Sequence, residues 1–79
     1  MAFYITINKI AETADICTYE FLDHEAGRGV LQIGKDTGDI TEIMAAPGDT
    51  AGRIFERAAV KVLRHWKIGE YPAETCWAS

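Results

Sequence analysis

The 79-residue sequence holds no apolar run approaching the roughly 18–20 residues that cross a bilayer, which excludes a helical membrane span. Proline occurs only twice and no stretch is low in complexity, which excludes a disordered chain. Basic residues number eight against twelve acidic ones, for a net charge of −4. A uniformly basic nucleic-acid binder is therefore excluded as well. Cysteine and histidine occur twice each, too sparsely for a disulfide framework or a paired zinc motif. The opening stretch MAFYITINKI has no basic n-region, no apolar h-region and no small-residue cleavage site. A cytoplasmic chain with reduced thiols is expected, a Cys17–Cys76 bridge being the alternative.

Hydrophobic residues make up 48% and charged residues 25%, enough apolar surface for one small globular domain over residues 1–79. The charges are unevenly placed. Residues 1–48 carry three basic against eight acidic side chains, a balance of −5. Residues 49–67 carry a balance of +3, and the tail returns to −2.

The first half alternates with period two, the mark of half-buried strands. FYITINKI sets Phe3, Ile5 and Ile7 against Tyr4, Thr6 and Asn8. ICTYEFL sets Cys17, Tyr19 and Phe21 against Ile16, Thr18 and Glu20. DHEAGRG reads as a charged loop, and VLQIGK as a short strand with Leu31 and Ile33 on one side. DITEIMA is a fourth strand of uncertain phase, with a bulge or two apolar faces as its solutions. Short connections predict an antiparallel meander.

The period changes after Pro47-Gly48. Asp49 or Thr50 can cap a helix. TAGRIFERAAVKVLRHWK then places Ala51, Ile54, Phe55, Ala58, Ala59, Val62, Leu63 and Trp66 in one arc. Gly69 can end the helix in the left-handed conformation, and Tyr71-Pro72 turns the chain to an extended course. Cys76 and Trp77 then point opposite ways, with Trp77 the one that reaches the core. The expected fold is α+β, a ββββα arrangement. A four-stranded antiparallel β-meander precedes one C-terminal amphipathic helix packed on one sheet face, and a short extended C-terminal tail follows. That tail is read as a plug over a sheet edge or helix end, with a fifth short strand as one of its forms.

Candidate chemistry is thin. Asp36-Thr37-Gly38 matches an aspartic-protease triplet, but the flanking Lys35 and Asp39 suit a hairpin turn better. Cys17, His24, His65 and Cys76 lack zinc-ligand spacing, and His24 sits in a mixed-charge turn. Cys76 with His65 would make a thiol and its base, but Glu74 gives the thiol a neighbour of the wrong sign. Gly48–Gly52 opens a helix that could bind an anion, yet Asp49 stands where the anion would be. No catalytic residue, metal ligand or cofactor is assigned, and the chain is not expected to be an enzyme.

One helix covers one sheet face. The other shows Tyr4, Thr6, Ile16, Thr18, Val30 and Gln32, which makes it the candidate interface. The leading expectation is a small acidic, non-catalytic interaction domain, either a homodimer or a binder of a protein partner. The first alternative is nucleic-acid binding through the helix stripe of Arg53, Arg57, Lys61 and Arg64. It is not favoured, because the sheet is acidic and no aromatic is interleaved. The second alternative is a small-molecule or enzymatic pocket between helix and sheet, using Tyr19, His65 and Cys76.

Gly48-Asp49-Thr50, Ala58-Ala59, Leu63 and Gly69 with Tyr71-Pro72 together resemble the helix segment of HicB-type antitoxins. That family's proline-rich loop before the helix is missing here. The small acidic layout is also similar in type to toxin-neutralising immunity proteins. Both resemblances imply a non-catalytic partner-binding role.

Overall fold

The computed structural model describes residues 4–78. The expectation that Phe3 joins Ile5 and Ile7 lies outside the described residues. Strands β1 (Tyr4–Glu12), β2 (Ile16–Asp23), β3 (Gly27–Gly34) and β4 (Ile40–Met44) form a meander. Helix α1 (Arg53–Lys67) follows, and then β5 (Glu74–Ala78). The sheet is wholly antiparallel, in the order β4-β3-β2-β1-β5. The fold is thus small α+β as expected, but with five strands among the described residues where four were expected. The tail closes the edge of the sheet beside β1.

The inner face follows the alternation. Ile5, Ile7, Cys17, Tyr19, Phe21, Leu31 and Ile33 are all buried under α1, which contributes Ile54, Ala58 and Val62. Trp77, opposite Ile5, packs against the same cluster, whereas Cys76 lies opposite Thr6 on the outer face. Strand β3 begins three residues before VLQIGK. Gly27 and Gly29 read as loop, but Gly29 pairs directly with Phe21, whose ring occupies the space a Cβ would fill. In β4 the partners step from Val30↔Met44 to Leu31↔Glu42, leaving Ile43 as a bulge. A second bulge leaves Ile10 of β1 unpaired and 46% exposed.

Helix α1 starts at Arg53, two residues later than Ala51, the first residue of its expected apolar arc. Gly52 holds φ +74° as the residue before it, so Thr50 and Ala51 remain in the preceding turn. Asp49 does cap the helix, accepting the Ile54 and Phe55 N–H groups at 3.1 and 3.0 Å. At the other end, Gly69 (φ +75°) donates to Trp66 C=O and Glu70 N–H to His65 C=O. That pair of bonds is the Schellman closure. The Trp66 indole N–H donates to Lys35 C=O at 2.8 Å, tying α1 to the β3–β4 turn. Among the described residues no helix is long and apolar enough to cross a membrane.

Candidate interaction face

Pairing registers determine which side chains share the outer face. Tyr4 lies opposite Ala78, and Thr6 opposite both Leu22 and Cys76. Thr18 lies opposite Gln32, which lies opposite Thr41. Ile16 lies opposite Gly34. Val30 lies opposite Glu20 and Met44. All six predicted interface residues therefore fall on the face that α1 leaves open. Tyr4 is 60% exposed, while Thr6, Ile16, Thr18 and Gln32 are half-buried. Val30 is the exception, only 8% exposed between Glu20 and Met44, although it lies outside the main core. Two apolar residues not foreseen on this face are half-buried Leu22 and Met44, the latter 43% exposed.

Sequence reasoning also missed the polar centre of the face. Glu20 accepts from Asn8 Nδ2 at 3.1 Å and from Arg28 Nε at 2.6 Å. The Arg28 guanidinium, helped by the Asn8 amide, holds the Glu20 carboxyl below its usual range. Asn8 and Glu20 are directly paired across β1 and β2, a relation invisible until the register is known. Tyr4 forms a ridge between two shallow hollows. One, of about 280 Å³, is lined by Thr6, Asn8, Glu74, Thr75 and Cys76 as well as Tyr4. The other, of about 310 Å³, runs past Thr6 and Leu22 to His24 and Arg28. A hydrogen bond with Cys76 pushes the Tyr4 phenol above its ordinary range.

The candidate pocket of Tyr19, His65 and Cys76 is not assembled. Tyr19 is buried beneath the helix and its hydroxyl donates to Pro72 C=O at 3.0 Å. His65 bridges Glu70 and Thr75, with ring nitrogens 3.2 and 3.1 Å away. Cys76 points to the opposite face because it neighbours Thr75 in an extended strand. Burial pushes both Tyr19 and Cys17 upward, so phenol and thiol stay protonated at neutral pH. Nearby, Glu12 accepts from Lys9 and Lys35, each at 2.6 Å, and is held at about 2, chiefly by Lys35. Lys35 is correspondingly raised and also lies 4.9 Å from the Tyr71 ring centre. Its ammonium is thus stabilised as a cation rather than readied as a nucleophile.

Asp36-Thr37-Gly38 lies in the β3–β4 turn: Gly38 has φ +77° and Thr37 Oγ1 accepts the Asp39 N–H. The hollow at the start of α1, of about 400 Å³, is lined by Asp23, Glu25 and Asp49 against Arg53. Asp49 already occupies two helix N–H groups there. Exposed His24 lies in the β2–β3 turn. Among the described residues no three His, Cys, Asp or Glu side chains converge on a metal-sized point.

The basic stripe is ordered on α1. Arg53 and Arg64 are exposed, and Arg57 and Lys61 are half-buried. Arg57 donates to Arg53 C=O at 3.2 Å, and the Arg64 guanidinium lies 5.2 Å above the Trp77 ring. The Arg64 end of the stripe therefore lies over β5, and the stripe is partly engaged within the fold.

No protein-family model, curated protein or solved structure matches the chain.

Proposed function

We propose that the chain is a non-catalytic interaction domain whose open sheet face is covered by protein, either a second copy or another chain. One observation carries the reading. A single helix covers one side of a five-stranded sheet, leaving Tyr4, Ile16, Leu22 and Met44 on the other with nothing over them among the described residues. A face with apolar side chains around a satisfied Asn8–Glu20–Arg28 centre suits a partner that supplies both apolar and polar contacts. Burying it would also stabilise a domain with a one-layer core. The scattered Tyr19, His65 and Cys76 support a binding role over catalysis.

The test uses the native chain and a Tyr4→Lys/Ile16→Lys variant as baits in lysate, with and without nuclease. A stoichiometric protein other than the chain itself should be retained by the native bait after nuclease and lost from the variant. Equal retention by both baits, with the variant still folded, would refute the open face as the surface. Nucleic acid as the sole retained species would favour the helix stripe.

A further inference from the structure

The outer edge of β5 makes a second surface, separate from the open face. Lys9 N–H donates to Ala73 C=O at 2.8 Å, so residues 73, 75 and 77 direct their backbone groups towards β1. Glu74, Cys76 and Ala78 therefore direct theirs away from the sheet. No strand among the described residues pairs with them. Natural edges are commonly protected by bulges, charges or proline. The opposite edge, β4, has its bulge at Ile43 and Glu42 beside it. Strand β5 has unbroken register from Asn8↔Glu74 to Tyr4↔Ala78, no proline, and one charge at its first residue.

We propose that β5 pairs antiparallel with β5 of a second copy, centred on Cys76, to give a continuous ten-stranded sheet. In that register Glu74 faces Ala78 of the second copy, so the strand's one charge never meets itself. Cys76 meets Cys76 with both backbone bonds exchanged, and Thr75 faces Trp77. Charge complementarity favours the same partner. His65 touches both Glu70 and Thr75, which places Glu70 on the helix side of the strand near Thr75. Arg64 lies over Trp77. Because Thr75 faces Trp77 of the second copy, Glu70 of each copy approaches Arg64 of the other. A two-fold axis makes two such pairs.

The test is sedimentation over a concentration series, joined to cross-linking with a short bis-maleimide. The native chain is expected as a concentration-dependent dimer linked through Cys76, with buried Cys17 unreacted. Cys76→Pro removes an outward N–H without touching a β1 bond, so it should sediment as a folded monomer. Glu70→Arg should weaken the dimer, and Glu70→Arg with Arg64→Glu should restore it. If Cys76→Pro unfolds, cross-linking and the charge swap decide. A chain that stays monomeric, or a dimer neither linked through Cys76 nor responsive to the swap, would overturn the proposal. The open-face reading fails separately, since Ile16→Lys alone, on β2 with β1 between it and the β5 edge, should leave the edge dimer intact. A dimer dispersed by that variant but not by Cys76→Pro would overturn the edge and keep the face.

Discussion

Replacing Gly29 by alanine should destabilise this fold, against the usual direction for a strand. Elsewhere in a strand, glycine is about 0.5–1 kcal/mol worse than alanine, so the exchange would be a gain. At Gly29 an added Cβ would lie 2.2 Å from Phe21 Cζ, 2.5 Å from Cε2 and 2.9 Å from Cε1. The ring has no free space to enter. Phe21 is fully buried, and its centroid stands 6.1 Å from that of Phe55 at a 46° tilt. Forcing extra volume into a packed core costs about 1–3 kcal/mol. Disturbing an aromatic pair adds about 0.5–1.5 kcal/mol. Less the strand gain, the net loss is about 0.5–4 kcal/mol. At about 4–8 °C per kcal/mol for a domain of this size, the melting temperature should fall by about 2–32 °C. Circular dichroism melts of Gly29→Ala would measure it, and Phe21→Leu would isolate the cause. With the ring gone, the same alanine should cost far less, giving a coupling of about 1–3 kcal/mol. A Gly29→Ala chain as stable as the native one, or more so, refutes the packing described here.

Three further outcomes are expected. Asp49→Ala should cost about 1 kcal/mol by freeing the Ile54 and Phe55 N–H groups, and Asp49→Asn should recover most of it in denaturant titrations. Glu12 is held at about 2 by Lys35 and Lys9, below the value it takes in the unfolded chain. Its contribution is therefore fully present above pH of about 5 and lost as pH falls towards 2. Glu12→Gln should flatten that acid limb of the stability curve, and a limb unchanged by the substitution contradicts the pairing. A maleimide should label one thiol per native chain, at Cys76, and a second only in denaturant, because Cys17 is fully buried.

The inner face was legible because period-two alternation is local. Ile5, Ile7, Cys17, Tyr19, Phe21, Leu31 and Ile33 are where their parity puts them. The orientation of the tail was also legible, since neighbours in an extended chain diverge, and Trp77 went inward with Cys76 outward. The helix end was readable from Gly69, but the start was shifted because Gly52 adopts a left-handed conformation that its neighbours do not announce. Strand β5 was harder to see. Its five residues gain strand structure by pairing with β1, some seventy positions earlier, and no local pattern encodes that partner. The same holds for the start of β3, whose glycines look like a loop until Phe21 is placed over Gly29. The six outer-face residues were legible by parity. The Asn8–Glu20–Arg28 contacts were not, because they depend on register between three strands.

If a protein partner covers the open sheet face, the side chains of that face lose their contact with solvent in the complex. Methyl NMR with a soluble paramagnetic agent decides this by comparing the free chain with its complex with the protein that the native bait retains. The methyls of Ile16, Leu22 and Met44 should lose relaxation by the agent in the complex, while Val60 and Ile68 of the α1 surface and its C-terminal end should keep theirs. Shielding of Val60 and Ile68, with the sheet-face methyls still fully accessible, would contradict it.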